Sequence, residues 1–337
     1  MSASPARGPD VLLVNVDSTG GWTVAARELA SAFEAAGASV AVAGTGPVPL
    51  VRTYALTDLT QAWMARQACR RAVAAHRPAA IVYCSMLAAL LWPAPGTIWL
   101  DALAAENRPG RHGVWQRVVE KRRVAQAPLV LTMGERSLDS LTTPRPGHVV
   151  VVPVPVDASL PAPGASGQRD IDVLAYAGNP EKKRLDFVLA TWARVRRPGE
   201  RLVIAGIDGL APRTGVEVAG RLPGHEYRAL LRRARVFAHA PTREDYGIAP
   251  LEALADGCLL ATTPAPGPYP ARELARALDP RLVDEDLGAA VRAALDDPSP
   301  GYAARAAELM APFSRRAVAR TLTADVLPRI VPAWLDR

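Results

Sequence analysis

Short apolar runs alternate with helix-like patterns along the first half of the chain. The strand-like runs are residues 11–16, 40–43, 81–84, 97–100, 129–133 and 149–152, and the helix-like segments between them include 23–36, 59–75, 114–124 and 136–141. The runs are continuously apolar, as in strands that are buried on both faces. This alternation predicts right-handed crossovers and a parallel sheet covered by helices on both sides.

A second alternation begins after residue 170. Its strands are predicted near residues 172–177, 202–205, 216–219, 236–239 and 259–262, with helices at 185–195, 226–233 and 248–255. Residues 157–170, DASLPAPGASGQRD, lack periodicity and have the composition of a linker. The sequence therefore predicts two tandem Rossmann-like, doubly wound parallel-sheet domains, at residues 1–156 and 171–312. A helical segment at 313–337 can cross back to the first domain.

Length and composition support this α/β prediction. A chain of 337 residues suits two domains, and 49% hydrophobic but only 5% aromatic residues indicate cores of Ala, Val and Leu. Aromatic stacking platforms for bases are therefore not expected. The net charge of +7 is spread over both halves, which suits an anionic substrate or transient contact with an anionic membrane surface rather than nucleic acid.

The cysteines, the first residues of the chain and one uncharged segment indicate where in the cell the protein is expected to act. Cys69, Cys84 and Cys258 share no metal-like spacing and are predicted to be reduced core thiols in a cytoplasmic protein. The first ten residues show no secretion pattern. Residues 79–100 carry no charge, but two prolines and a glycine interrupt them, so a strand, a short helix and a second strand are predicted there rather than a membrane helix.

The most informative motif is PTREDYGIAPLEALADG at residues 241–257, which follows a predicted strand and opens a predicted helix. Gly247 permits a tight turn, and Pro250 suits a first helical turn. The first N–H groups of this helix are expected to form an anion site. Glu244 and Glu252 flank the site, where carboxylates can accept hydrogen bonds from sugar hydroxyls. The alternative is that both are solvated surface acids.

A second motif, YAGNPEKKRLD at residues 176–186, leads from a strand through a Gly-Asn-Pro turn to three cations, Lys182, Lys183 and Arg184. Only three of the 40 basic residues are lysines, so a lysine pair at the end of a strand indicates a need for compact ammonium groups, such as a diphosphate contact. The alternative is a basic helix start on a solvated face, which the helix dipole disfavours.

Weaker features lie elsewhere. The turn at residues 15–23 carries Gly20 and Gly21, which either let the backbone approach a ligand or serve packing alone. Residues 108–123 hold six cations, which can face an anionic acceptor or a membrane surface, or form a solvated face. The acidic triplet 284–286 precedes a predicted helix and is expected to cap it rather than bind metal. His239 either lines the site or is an ordinary core histidine.

From residue 218 to 257 the order of parts resembles the retaining, GT-B fold glycosyltransferases of the family-four type. Glu244 and Glu252 match that family's E-x7-E pair, and Tyr246 and Gly247 stand where it usually has Phe-Gly. The resemblance implies a metal-independent enzyme that transfers a hexose from a nucleoside diphosphate sugar, a UDP- or GDP-sugar, to a hydroxyl acceptor with retention of configuration.

The resemblance also implies roles for individual residues. Glu244 and Lys183 would be catalytic, Glu244 holding the transferred sugar and Lys183 the diphosphate. The donor-binding residues would be Gly20, Gly21, Lys182, Lys183, Arg184, Tyr246, Gly247, Ile248, Ala249 and Glu252, with Glu252 on the ribose. No protein nucleophile and no cofactor beyond the sugar nucleotide are implied, because the acceptor hydroxyl can attack from the face of the departing nucleotide while the enzyme supplies position and charge.

Two departures from the family pattern and one comparison with related enzymes concern the predicted substrate-binding residues. The family's Gly-Arg before the lysine is Gly178 and Asn179 here, so Arg184 or Lys182 is expected to replace the missing arginine. Its first-domain His-Asp is Leu-Asp here, which leaves Asp101. Related inverting enzymes place a base histidine just after the first strand, where this chain has only an aspartate, and this favours retention.

Asp101, Arg108 and Arg111 are the predicted acceptor residues. The acceptor itself is expected to be a small molecule, a glycan or a lipid-linked sugar, and nucleic acid is not expected as a partner. Two other functions remain open. One is a nucleotide-sugar epimerase or hydrolase of the same fold, in which water replaces the acceptor. The other is a non-catalytic relative acting as a partner protein, which the intact Glu244, Glu252 and Lys183 disfavour.

Overall fold

The computed structural model describes residues 8–18, 20–49, 51, 53–108, 110–141, 146–159, 169–332 and 334–336. By its internal contacts the chain divides into a first unit, Met1–Pro155 with Arg315–Arg337, and a second unit, Val156–Ser314. Most of the predicted linker, residues 160–168, lies outside the described residues.

Six strands, counted over the described residues, form the parallel sheet of the first unit in the order β2-β1-β3-β4-β5-β6. They are β1 Val11–Asn15, β2 Val40–Gly44, β3 Ala80–Tyr83, β4 Thr97–Leu100, β5 Val130–Thr132 and β6 Val149–Val151. The helices are α1 Gly20–Ala35, α2 Tyr54–His76, α3 Met86–Ala89, α4 Ala104–Asn107 and α5 Val114–Gln126. Short 3-10 turns occupy Gly110–Gly113 and Glu135–Leu138, so the helix predicted at 136–141 is only one turn.

The core of the first unit follows from its central strand. Every residue of β1 is buried, because helices cover both faces of the sheet. On α2 the inward positions are small, with Ala62, Ala65 and Cys69 fully buried, which lets the helix approach the sheet closely. The few aromatic side chains at this level, such as Tyr83 and Trp99, are fully buried too.

The last segment of the chain belongs to the first unit. It consists of α12 Arg315–Thr321, a π-helical turn Leu322–Val326 and α13 Leu327–Ile330. Helix α12 packs against α1, and Nη2 of Arg315 lies 2.6 Å from Oε2 of Glu28.

The second unit contains a parallel sheet of five strands within its described residues, ordered β11-β10-β7-β8-β9. The strands are β7 Ile171–Tyr176, β8 Leu202–Ala205, β9 Val216–Gly220, β10 Ala234–His239 and β11 Leu259–Thr262. The helices are α6 Leu185–Val195, α7 Gly224–Arg233, α8 Ile248–Ala255, α9 Pro270–Leu278, α10 Leu287–Asp296 and α11 Tyr302–Met310.

The order of this second sheet positions the two sequence motifs. Strand β10 pairs in parallel with β7 and with β11, and Phe237 lies opposite Leu174 in register. Since the strands are parallel, the turn after β7 and the loop after β10 leave the same edge of the sheet beside one another. The backbone N–H of Thr242 donates to the carbonyl of Lys182 at 2.9 Å, which joins the two segments directly.

No helix among the described residues is both long and apolar enough to cross a membrane. Residues 79–100, which carry no charge, fold as β3, α3 and β4 with turns between them. The structure thus agrees with the prediction that this stretch is part of a sheet and its covering helices.

Candidate functional site in the second unit

Two glycines, Gly247 in the loop from β10 to α8 and Gly267 in the loop after β11, pack closely against Glu244. Gly247 has φ +82°, and a Cβ there would lie 3.0 Å from both Glu244 Cγ and Pro250 Cγ. Gly267, at φ +114°, packs so closely that a Cβ would lie 2.2 Å from the carbonyl oxygen of Glu244. The N–H of Glu244 in turn donates to the carbonyl of Pro266 at 3.0 Å. These close approaches fix the backbone on either side of Glu244.

The Glu244 side chain is the centre of a buried polar cluster. It is about 6% exposed, and its Oε2 is hydrogen-bonded by Nζ of Lys183 and lies 3.1 Å from Nε2 of His239. Nζ of Lys182 is 3.9 Å from the other carboxylate oxygen. Both sequence motifs therefore meet at this carboxylate, as the sheet order requires.

Charge and burial oppose each other at Glu244. Burial alone would raise the pKa of its carboxyl, but the hydrogen bond from His239 and the charges of Lys183 and Lys182 outweigh burial and hold the pKa well below its usual range. Burial lowers the pKa of His239, and the neighbouring lysine charges lower it further, against the opposing pull of Glu244. A neutral His239 beside an ionised carboxylate must carry its proton on Nε2 and donate it to Glu244.

The turn after β7 positions the lysines through its own hydrogen bonds. Oδ1 of Asn179 accepts from the N–H of Lys182 at 2.9 Å, and the carbonyl of Asn179 accepts from the N–H of Lys183 at 2.9 Å. Lys183 is largely buried and Lys182 is 44% exposed, so the two differ in how firmly they are held. Arg184 has φ +50°, and its guanidinium lies 4.0 Å above the Phe187 ring. That stacking gives Arg184 a packing role in the structure.

Glu252 lies half-buried in α8 among charged neighbours. Oε1 of Glu252 is 3.7 Å from Nη1 of Arg228, whose Nε is 2.6 Å from Oδ2 of the buried Asp256. The hydroxyl of Tyr227 is buried near this group without a hydrogen-bond partner among the described residues. Glu252, the residue predicted to bind the ribose, therefore lies beside Arg228, and Asp256 fixes that arginine in place.

The remaining second-unit candidates all lie at the start of α8. Tyr246 is buried, while Gly247, Ile248 and Ala249 lead into the first turn of α8. Amide N–H groups in a first helical turn have no partner within the helix. Their position, one loop away from Lys182, is compatible with an anion site beside the lysines.

Two predicted donor residues of the first unit belong to a helix rather than to a loop. Helix α1 begins at Gly20, three residues earlier than predicted, so Gly20 and Gly21 form its first turn. A Cβ at Gly20 would meet nothing within 4 Å. Asp17, in the preceding turn, accepts hydrogen bonds from Asn15 Nδ2 at 2.7 Å and from the N–H of Gly46 at 2.9 Å. The aspartate thus ties the loops after β1 and β2 together.

The predicted acceptor residues lie along the segment that follows β4. Asp101 comes directly after the strand, and its Oδ1 accepts from the N–H of Ala102 at 2.8 Å. Nε of Arg108 lies 2.8 Å from Oδ2 of the buried Asp58, so this arginine anchors the segment to α2. Arg111 is exposed in the 3-10 turn before α5. Each of these residues is placed, but nothing in the structure brings the three together around one point.

The acidic triplet has the capping role that its position predicts. Oδ1 of Asp286 accepts from the N–H of Gly288 at the start of α10, and Nη2 of Arg194 lies 2.6 Å from the same carboxylate. The described residues contain no group of three or more His, Cys, Asp or Glu side chains that could hold a metal ion. The three cysteines are buried free thiols.

Sequence reasoning placed His239 among core residues or at the site wall, and the structure makes it a hydrogen-bond donor to Glu244. Its ring lies 6.0 Å from that of Phe237 and 5.8 Å from that of Tyr269, measured between centroids. The Tyr269 hydroxyl is hydrogen-bonded to Thr262 at 2.9 Å. The sequence shows only that His239 ends a predicted strand five residues before Glu244. That spacing indicates a contact between the two side chains only once the chain is known to bend between the strand and the loop.

Comparison with protein families gives a match within this unit. Residues 171–297 match the family model described as "Glycosyl transferases group 1". The second unit is a group 1 glycosyltransferase domain. The family prediction made from its motifs is thereby confirmed, and the matched residues include Lys183, Glu244 and Glu252 of the buried cluster and its neighbours. No curated protein sequence matches the chain.

Solved structures extend the likeness to nearly the whole chain. Sucrose-phosphate synthase from Thermosynechococcus elongatus is 16% identical with a TM-score of 0.67, covering 94% of this chain and 97% of that one. WaaG, a glycosyltransferase involved in lipopolysaccharide biosynthesis, is 15% identical with a TM-score of 0.63, covering 96% and 98%. HepE from Anabaena, solved with UDP-glucose, is 14% identical with a TM-score of 0.60, covering 93% and 98%. The glycosyltransferase domain and the first unit therefore form a GT-B fold, as predicted.

Proposed function

We propose that this group 1 glycosyltransferase moves a hexose from a nucleoside diphosphate sugar, UDP- or GDP-linked, to a hydroxyl acceptor with retention of the anomeric configuration. The observation that carries the proposal is the Glu244 carboxylate, buried and ionised between Lys183 and His239 at the edge of the sheet where α8 begins. The complex of HepE with UDP-glucose supports a sugar nucleotide as the class of donor.

The lysines supply the charge that this reaction needs. Breaking the bond between sugar and diphosphate leaves negative charge on the leaving phosphate, and fixed cations stabilise it most where water is excluded. Lys183 is mostly buried and Lys182 more exposed, so a diphosphate would meet one rigid and one adaptable ammonium group. The first amides of α8 add donors whose direction is set by the helix.

Glu244 and Glu252 would bind hydroxyls rather than phosphate. An ionised carboxylate accepts hydrogen bonds from a sugar hydroxyl but repels a phosphate, so both acids suit the ends of the donor rather than its diphosphate. Glu244 would hold the hexose and Glu252 the ribose. Asp17 already ties two loops of the first unit together, which supports a reaction without a base at that position and hence retention.

The acceptor side, the metal independence and a cytoplasmic site of action are part of the same proposal. Asp101, Arg108 and Arg111 follow the fourth strand of the first unit and are proposed to face the acceptor, although Arg108 also anchors the chain to Asp58. Three free thiols buried in the two units are compatible with a reducing compartment.

Thermal shift against UDP, GDP, dTDP and ADP is the first test, since a ligand that binds the native state raises the melting temperature by mass action. We expect one nucleotide to stabilise the protein and the shift to be lost in Glu252→Ala. Glu308→Gln, which changes an exposed acid of α11, is the matched control and should keep the shift. Absence of any shift would contradict nucleotide binding and favour a non-catalytic partner protein.

Turnover is tested with the sugar nucleotides of the base that binds, with and without a panel of hydroxyl acceptors. Release of nucleoside diphosphate that depends on an acceptor, with the product anomer matching the donor by NMR, would support the proposal. Equal release of free sugar without acceptor would instead indicate a hydrolase, and an inverted anomer would overturn retention.

A further inference from the structure

Helices α2 and α5 of the first unit are connected through side-chain hydrogen bonds at two places. Near their beginnings the side chain of Gln116 in α5 donates to the carboxylate of Asp58 in α2. Further along, Arg66 of α2 and Arg123 of α5 donate to backbone carbonyls of the same loop, at residues 90–91 and distances of 3.0 and 2.9 Å. Because the two helices are tied at both places, we take their exposed faces together as one surface of the first unit.

That surface carries apolar side chains where a soluble helix normally carries polar ones. On α2, Leu56, Leu59 and Trp63 share one face by their spacing and are all exposed, Trp63 to 55%. On α5, Val114 and Val118 are one helical turn apart and exposed to 53% and 68%. These five residues are the apolar part of what we call the α2–α5 surface.

Further along the same faces of α2 and α5, the exposed side chains are cationic. Arg70 follows Trp63 by two helical turns on α2, and Lys121 follows Val114 by two turns on α5, both exposed. Arg111 and Arg122 are exposed beside them. The acids of the two helices, whose residues are all described, are Asp58 and Glu120, and both are buried. The exposed charge of the α2–α5 surface is therefore positive.

We propose that the α2–α5 surface docks on an anionic lipid bilayer. Tryptophan and aliphatic side chains enter the headgroup boundary, while arginine and lysine beside them meet lipid phosphates. A second copy of this chain is the weaker fit, because it would bring the same cations face to face. The proposal goes beyond the transferase function and does not depend on it.

The position of the surface in the fold determines what docking would bring to the membrane. Helices of a parallel α/β unit run opposite to the strands, so the N-terminal halves of α2 and α5 lie toward the carboxyl edge of the first sheet. The apolar residues are in those halves, and Asp101 follows β4 at the same edge. Docking would therefore hold this edge of the first unit close to the lipid headgroups.

Vesicle sedimentation of the full chain tests the proposal. The probes are vesicles of phosphatidylcholine alone and vesicles containing about one third phosphatidylglycerol, at low and at physiological salt. We expect pelleting with the anionic vesicles that weakens as salt rises. The double variant Leu59→Ser with Trp63→Ser should bind at least about tenfold more weakly. Lys121→Glu with Arg122→Glu should abolish the preference for anionic lipid.

Matched controls separate the surface from general effects of charge and hydrophobicity. Leu309→Ser removes an exposed leucine of α11, and Arg316→Glu with Arg320→Glu reverses two exposed charges of α12. Both controls should pellet as the parent protein does. Equal binding by the α2–α5 variants and the controls would overturn the proposal, as would a failure of the parent to pellet. A dimer that dissociates only in the Leu59/Trp63 variant, measured by light scattering, would overturn it in favour of a protein interface.

Discussion

Nε2 of His239 lies 3.1 Å from Oε2 of Glu244, and both side chains are almost fully buried. The histidine ends β10 and the glutamate lies in the loop that follows, so the contact bridges the bend between them. Lys183, in the turn that follows the neighbouring strand β7, donates to the same carboxylate oxygen. Glu244 is thus held by one neutral donor and one cation, which fixes its orientation as well as its charge.

His239 should act as a positioning residue for Glu244. In His239→Leu the carboxylate loses a donor, so its pKa rises and the acid limb of the pH profile of kcat should move to higher pH. We expect kcat to fall about tenfold with little change in the KM for the donor, since about 1.5 kcal/mol of hydrogen bonding is removed. In His239→Gln an amide can still donate, and most of the activity should return. An unshifted acid limb in His239→Leu would contradict this role.

Lys183→Ala should lower kcat/KM by about 10- to 100-fold, because about 1.5–3 kcal/mol of charge-assisted bonding to the diphosphate is lost. The measurement is steady-state kinetics with the donor found by thermal shift. Lys121→Ala, which removes the lysine of α5, is the control and should keep the kcat/KM for a water-soluble acceptor. Near-parental kinetics in Lys183→Ala would remove this residue from the proposed site.

Gly247→Ala should damage the site more than its backbone strain alone explains. Gly247 at φ +82° and Gly199 at φ +88° have the same left-handed backbone, but a Cβ meets neighbours at 3.0 Å only at Gly247. Gly199→Ala is therefore the matched control for the cost of positive φ, about 1 kcal/mol. We expect both variants to lower Tm and only Gly247→Ala to lower kcat/KM strongly, because its methyl group pushes on Glu244. Equal kinetics in the two variants would disprove that contact.

Glu120 should make the first unit less stable as the pH rises. Burial raises the pKa of this carboxyl to about 7, even though it accepts hydrogen bonds from the N–H of Ala104. Between about pH 4.5 and 7 the unfolded chain releases this proton while the folded chain keeps it, so stability falls over that range. Glu120→Gln should therefore raise Tm at pH 8, by an effect on the order of 3 kcal/mol, and leave it nearly unchanged at pH 4.

The control for this pH effect is Glu34→Gln, which changes an exposed acid of α1 and should shift Tm at neither pH. A Glu120→Gln variant that is destabilised at pH 8 would show that the carboxylate is needed in its ionised form. The hydrogen bonds from Ala104 to both of its oxygens would then be the dominant interaction.

Several elements could be predicted from the sequence to the residue. Helices α6 and α8 and strands β4, β8 and β11 have the bounds that the apolar pattern gives, because each has caps or turn residues at its ends. Other bounds were less accurate. Helix α1 begins before the predicted start, since two glycines do not indicate a helical turn by propensity, and the segment at 136–141 is too short to sustain an α-helix.

The candidate site, too, could be predicted only in part from the sequence. Glu244, Glu252 and the lysine pair could be predicted as site residues from the sequence. The glycines, prolines and charges beside them indicate local turns and helix starts, which a sequence shows directly. The contact of Lys183 with Glu244 joins residues 61 positions apart, and it exists because β7 and β10 are neighbours in the sheet. The amino-acid sequence does not reveal that strand order. An alternation of strands and helices predicts a parallel sheet, but not which strands are neighbours in it.

What the sequence by itself determined is therefore local: parallel α/β units, a glycine turn that opens a helix at residue 248, and an acidic pair with two lysines in a separate motif. The tertiary structure decided which of these groups meet and in what state. Burial and the contact with Glu244 make His239 a neutral donor, and the pairing with Asp58 makes Arg108 an anchor. Burial and long-range contacts are properties of the packed chain, and at these residues they set the charge and orientation of the side chain.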